Sequence, residues 1–203
     1  MIFVNRRNRN STFNRNKLTN FIIPINENKY NSISSENISK PKNIALNKEE
    51  RVKEMLWGEP TWYFFHTIAE KIKENHFNQL KKELFDHIKA ICNNLPCPDC
   101  AKHATAYMNK VNFDAIRNKE QLKMLFFKFH NEVNANKNYE LFEYTDLHDK
   151  YSSAITINII RNFFYHFSQK QFNVRLDTSN YQRRILLKEL KMWLEKYHYC
   201  FDE

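Results

Sequence analysis

Among 203 residues there is a single glycine, Gly58. A dinucleotide fingerprint, a phosphate-binding P-loop and a glycine-rich kinase loop each need several glycines close together, so all three are excluded. An all-β fold with many tight turns would want more of them as well. Long apolar runs are also missing. The most apolar stretch, Ile155 to Phe167, is interrupted by Asn158, Arg161, Asn162 and His166. It falls short of the roughly 18 apolar residues of a membrane span. The first residues lack the continuous apolar segment of a secretory signal. They are rich in Arg and poor in acids up to Glu27, a loose fit to a mitochondrial transit peptide, but Asn fills the positions where an amphipathic face would need Ala or Leu.

The formal charge of +9 is unevenly placed. Residues 1–48 hold nine Lys/Arg and two acids, while the rest of the chain holds 23 bases and 21 acids. The basicity therefore belongs to an Asn/Ser-rich tail, for which a solvated, disordered arm is the expectation. Non-specific attraction to nucleic acid or to an anionic membrane is the other reading of such a tail, and no specific nucleic-acid site is expected.

From about residue 50 the pattern becomes helical. Trp62, Phe65, His66, Ala69 and Ile72 recur at three- and four-residue steps, with Pro60 in the favoured first turn. Leu80, Leu84, Ile88 and Ile91 form a second stripe that ends at Asn93 and Asn94. A third helix is predicted from Pro98 towards Val111, and a fourth carries Leu122, Leu125, Phe126, Phe129 and Val133. Two more helical stretches follow, Ala154 to Phe167 and Tyr181 to Tyr199; the second places Ile185, Leu186, Leu190, Trp193, Leu194 and Tyr197 on one side. The expected architecture is all-α: a four-helix bundle in residues 49–151, a helical extension in 152–203 and the basic tail in 1–48.

Four cysteines stand at 92, 97, 100 and 200. If Pro98 opens a helix, Cys97 is its N-cap and Cys100 lies one turn in, on the same face, close enough for a disulfide. A helix N-terminus favours a thiolate, which makes Cys97-Pro98-Asp99-Cys100 a candidate redox-active pair. A structural zinc site on Cys92, Cys97, Cys100 and His103 is the competing use of the same residues. Zinc ribbons draw their ligands from two separated pairs, and the second pair is missing here. Cys92 reads as a small buried apolar residue. Trp62 and His66 are one helical turn apart, as are His130 and Asn134, with Lys137 a turn further on. A Trp face can stack on a planar ring, and a His can hydrogen-bond a polar edge or a phosphate. Either stripe by itself could equally be packing.

Taken together, Trp57-Gly58-Glu59-Pro60-Thr61-Trp62-Tyr63-Phe64-Phe65-His66, Cys97-Pro98-Asp99-Cys100 and His130-Asn131-Glu132-Val133-Asn134 resemble the Erv/ALR family of FAD-linked sulfhydryl oxidases over roughly Glu50 to Tyr151. The resemblance implies a helical bundle that holds FAD with a redox-active Cys97–Cys100 disulfide beside the isoalloxazine ring. Cys97 would exchange with the substrate, and Cys100 would be the flavin-proximal thiol, able to form a thiolate–flavin charge-transfer pair. Gly58, Trp62, His66, Cys100, His130, Asn131, Val133, Asn134 and Lys137 are the implied flavin contacts, with Lys150 and Tyr151 standing where the family has Arg-Trp. Electrons would pass from a protein dithiol to the CxxC, to FAD and to O2, giving H2O2. Phe127 and Tyr144 occupy positions that a stapling disulfide holds in cellular members, so an aromatic contact is expected there. Tyr139 stands where the family often has Lys. With no second CxxC and only Cys200 near a terminus, the chain looks like the minimal members of large DNA viruses. Those pass disulfides to a small thioredoxin-like partner in the host cytoplasm or virion; a cellular member would place it in the mitochondrial intermembrane space. A homodimer through the first two helices is also implied, with the Leu80–Ile91 stripe as a candidate face.

Overall fold

The computed structural model describes residues 56–169 and 177–203, with the side chains of 177–179 excepted. The basic tail lies outside the described residues, as does the expectation of its disorder. Among the described residues seven α-helices follow one another: α1 (Gly58–Lys71), α2 (Glu74–Asn93), α3 (Pro98–Lys110), α4 (Lys119–Asn136), α5 (Asp146–Ser152), α6 (Thr156–Ser168) and α7 (Asp177–Tyr197). Short 3-10 turns sit at Phe113–Ala115 and His198–Cys200. There is no strand among the described residues, only an isolated antiparallel bridge between Ile72 and Phe201.

The helices begin and end where local chemistry directs. Glu59 and Pro60 occupy the first turn of α1, where a carboxylate meets the exposed N–H groups and a proline loses no bond. Cys97 caps α3 with Pro98 at its first position. Asn118 caps α4, its side chain accepting from the Gln121 N–H at 2.9 Å. At the other end of α4, Asn138 turns left-handed (φ 56°), and the Tyr139 N–H closes on the Asn134 carbonyl at 2.9 Å. This is the Schellman arrangement that satisfies the last carbonyls and sends the chain back across the helix.

Helix α1 is the hub, packed against α4, α5 and α6, while α2 packs against α3 and α7. The core is aromatic: Phe65 stacks on Phe126 of α4 (4.9 Å, 2°), and Phe64 stacks on Phe163 of α6 (4.3 Å, 14°). The extension thus caps the bundle instead of standing off as an appendage. Its C-terminus is knitted to the α1–α2 corner. The Lys73 N–H donates to the Cys200 carbonyl (2.9 Å), the Asp202 N–H donates to the Lys71 carbonyl (2.7 Å), and Lys71 Nζ donates to the Ser152 and Glu203 carbonyls.

Two expectations change. Leu80, Leu84, Ile88 and Ile91 are buried within the chain itself, with α7 laid over α2 through His87–Trp193 and Tyr197–Glu83 contacts. That stripe is therefore covered without a second subunit. On α7 the inward side is Leu186, Leu187, Leu190, Trp193, Leu194 and Tyr197, whereas Ile185 is 41% exposed. Leu187 offers a better three- and four-residue spacing to Leu190, Trp193 and Leu194 than Ile185 does, and the helix rotates accordingly.

Candidate functional site

Helix α1 carries Gly58, Trp62, His66 and Glu70 along one ridge, each a turn from the last. Helix α4 faces it with His130 and Asn134. The two ridges meet at the imidazoles, where His66 Nε2 lies 3.0 Å from His130 Nδ1. The Trp62 ring stacks on His130 (4.1 Å between centroids, 10°), and Tyr151 of α5 stacks on His66 (4.7 Å, 11°). Phe142 closes on His130 at 5.1 Å. Lys150 places its Nζ 4.2 Å from the Phe142 centroid, 5.5 Å from Tyr63 and 5.6 Å from Tyr151.

Both histidines are buried, at 3% and 9% exposure. Burial pushes the His66 pKa down to about 3, helped by His130 and Lys150, and pushes His130 down to about 4, helped by Lys150. The pair is therefore neutral at physiological pH and can offer both a ring N–H and a ring lone pair. A bundle that needed only packing here would use leucine. Two imidazoles joined by one bond and walled by aromatic faces leave polar capacity that packing does not explain.

The rest of the His130–Asn134 motif shapes the loop that follows. Asn131 grips Phe142 at two points: its Nδ2 donates to the Phe142 carbonyl, and its Oδ1 accepts from the Phe142 N–H, both at 2.9 Å. Asn134 Nδ2 donates to the Glu140 carbonyl at 3.0 Å. These amides thus present Phe142 to the imidazoles. Val133 is half-buried, and its carbonyl accepts from the Lys137 N–H (3.2 Å). Gly58 opens the ridge, and a methyl group built there meets nothing within 4 Å. Nothing in the packing of the described residues therefore requires a glycine there.

At the N-terminus of α3, the Cys100 N–H donates to Cys97 Sγ at 3.2 Å, and both thiols are half-buried. The spacing brings the pair together as expected. The thiol chemistry differs: burial, then the hydrogen bond and charge of Cys97, hold Cys100 well above the usual thiol range, with Lys137 opposing them. The simple expectation of a lowered pKa at a helix N-terminus fails for Cys100 because burial, and after it the neighbouring thiol, outweighs the helix end. Helices α3 and α4 run antiparallel through side-chain contacts. Tyr107 stacks on Phe129 (4.4 Å), and His103 lies 3.5 Å from Glu132 and 3.4 Å from Asn136. Phe129 in turn meets Trp62 edge-on at 5.0 Å. That register sets Cys100 level with the end of α4, within reach of the charge of Lys137.

The competing zinc set is not assembled. Cys92 is buried in the last turn of α2, burial pushing its thiol up to about 12, and His103 is turned to Glu132 and Asn136. Among the described residues no three His, Cys, Asp or Glu side chains form a metal-binding group. Phe127 and Tyr144 do meet, edge to face at 5.3 Å.

Trp62, His66, His130, Lys150 and Tyr151 thus converge, with Asn131 and Asn134 behind the loop, and the two thiols one helix away. Tyr63 and Phe142 also join the site. Tyr63 could have been found from its place three residues before His66. Phe142 lies in an aperiodic loop and gave no signal.

Residues 59–152 match the sequence model of the Erv1/Alr family. A protein of Invertebrate iridescent virus 3, provisionally named FAD-linked sulfhydryl oxidase 096R, is 32% identical over 84 residues, covering 41% of this chain and 57% of that protein. An FAD-linked sulfhydryl oxidase of African swine fever virus is 28% identical over 99 residues, covering 49% of this chain and 82% of that protein, in each of two isolates. The chain thus spans little more than half of the iridescent virus protein. No solved structure matches the chain. Segment 59–152, with the aromatic–histidine site at its centre, belongs to the Erv1/Alr family.

Proposed function

We propose that this chain is an FAD-linked thiol oxidase that forms disulfides in protein dithiols, with the overall balance 2 R–SH + O2 → R–S–S–R + H2O2. What supports the reading is the half-buried Cys97–Cys100 pair at the start of α3, a helix that packs on α4 through Tyr107–Phe129, together with the buried, neutral imidazole pair between α1 and α4 that aromatic rings wall in. The donor set suits FAD. Trp62, Tyr151 and Phe142 offer aromatic faces, His66 and His130 offer a donor and an acceptor for a ring edge, and Lys150 offers a cation for a phosphate. When bound, FAD supplies a two-electron acceptor that can be reoxidised by O2.

The protein's part is positional and electrostatic. With the pair oxidised, a substrate thiolate attacks Cys97 Sγ at the N-cap, breaking the Cys97–Cys100 bond with Cys100 as the leaving thiolate. The second substrate thiol then resolves the mixed disulfide to the substrate disulfide and the Cys97/Cys100 dithiol. Cys100 feels the charge of Lys137, which favours its thiolate as the dithiol gives up its electrons. The neutral histidines add no buried positive charge and supply an N–H. The dithiol substrate belongs to a protein client or a small thioredoxin-like partner. A large DNA virus acting in the host cytoplasm or packaging the enzyme in its virion is the setting in keeping with the relatives. A homodimer would need a surface other than the Leu80–Ile91 stripe.

The test is oxygen consumption by the purified full chain with a dithiol. Turnover with H2O2 release in the parent, lost in Cys97→Ser and in Cys100→Ser, is the expected result. A flavin-free protein whose dithiol oxidation survives both substitutions would refute the reading.

A further inference from the structure

Glu70 ends the ridge that carries Trp62 and His66, one turn beyond the imidazole, and its carboxylate is only 9% exposed. A buried carboxylate is costly unless it is paired. Here both oxygens are taken, and the partners come from two other helices. Oε2 meets Lys123 Nζ of α4 at 2.8 Å, and Oε1 meets His148 Nδ1 of α5 at 2.9 Å. Lys119 Nζ donates to the Glu70 carbonyl at 2.9 Å. Around this bridge, Lys123 also meets Glu120 (3.1 Å), which accepts from Tyr144 Oη (3.2 Å).

Helix α5 needs such support. It has seven residues and no side-chain cap, and a helix that short does not hold itself in water. Yet it presents Tyr151 flat against His66 and Lys150 over three rings. Leu147 is buried beneath it, and Lys71 ties its last residue through the Ser152 carbonyl (2.8 Å). Among the described residues, the side-chain polar bond that joins the middle of α5 to the core helices is His148 to Glu70.

We infer that Glu70 is a positioning residue: by bridging Lys123 and His148 it locks α5 in the place where Tyr151 and Lys150 complete the ligand site. Which ligand benefits rests on the flavin reading; the positioning itself does not. His148 is the gentler probe, because its side chain is 68% exposed and its removal leaves Glu70 paired with Lys123.

The experiment uses the full chain with His148→Ala, His148→Gln, Glu70→Gln and the surface control Asp86→Asn. Amide hydrogen exchange is followed without ligand, and FAD affinity by flavin fluorescence. In His148→Ala, exchange over residues 144–152 rises while α2 and α6 are unchanged, and FAD affinity falls about tenfold. His148→Gln, which keeps a donor, recovers part of both. Glu70→Gln exceeds His148→Ala in both, and Asp86→Asn changes neither. Unaltered exchange at 144–152 in His148→Ala overturns the inference, whatever Glu70→Gln does to folding. Failure of the parent to bind FAD, with exchange at 144–152 still responsive, would instead overturn the flavin reading and leave the positioning role standing.

Discussion

Helix α1 shows two different buried faces to its neighbours. Towards α6 it packs like any core, with Phe64 flat on Phe163. Towards α4 and α5 it buries Trp62 against His130 and His66 against Tyr151, and then a carboxylate, Glu70. Both faces exclude water, but only the first does so with groups that lose nothing by burial. Desolvated polar groups gathered at one place are the mark of a site whose form answers to something other than stability. The same contrast separates the cysteines. Cys92 sits buried in the last turn of α2, while Cys97 and Cys100 stand half-exposed at a helix start.

The cysteine contrast should give the largest effect. Cys97→Ser or Cys100→Ser should reduce dithiol-dependent oxygen uptake to background. Cys92→Ala should keep the turnover per bound flavin and lower only the thermal midpoint. Comparable losses in all three would erase the distinction.

The two faces of α1 should dissociate next. Phe64→Ala is expected to cost about 3–5 kcal/mol in denaturant melts, the usual range for a fully packed phenylalanine, while the surviving native fraction binds FAD normally. Replacing both imidazoles, His66→Leu with His130→Leu, removes both partners of one bond together. It should leave the melting temperature unchanged or raised, yet abolish FAD binding. The opposite pattern would mean that the histidines are structural.

The acid response of the ligand-free protein sharpens the same point. Unfolded histidines titrate near 6.5, whereas His66 and His130 in the fold titrate at about 3 and about 4. Between those limits the unfolded chain holds more protons, so their contribution is whole above about pH 6.5 and is lost as pH falls. Each histidine should contribute up to about 1.4 kcal/mol per pH unit in that window. The double leucine variant should lack the slope, as urea melts from pH 7 to 4 would show.

The smallest effect belongs to Gly58→Ala. An added methyl meets nothing within 4 Å in the chain itself, so stability should be unchanged or slightly higher. Weaker FAD binding, measured by titration, would then report a ligand close to that backbone; equal binding would place the ligand elsewhere.

Much of this was legible in the sequence because it is local. The stripes of α1 to α4 repeat at helical spacing, and Cys97-Pro98 announces the start of α3. The one-turn pairs Trp62–His66 and His130–Asn134 place their members on shared faces. What was not legible depends on contacts between segments. Phe142 and His148 lie in stretches with no period, and their positions follow from Asn131 and Glu70, which are remote in sequence. Glu70 itself reads as an ordinary solvent-facing carboxylate, because most helix carboxylates are. The face of α7 was misjudged at Ile185 because Ile185 and Leu187 are both apolar, and only the packing partner decides between them. The raised pKa of Cys100 departs from the rule about helix termini because burial, first, and the adjacent thiol outweigh it.

The most direct test is the visible absorption spectrum of the purified full chain, taken before and after anaerobic addition of a dithiol and compared with Cys97→Ser and Cys100→Ser. An oxidised-flavin band that bleaches with dithiol in the parent, and persists unbleached in both variants, is the predicted result. A colourless protein that takes up no FAD when it is supplied would contradict the account at its centre.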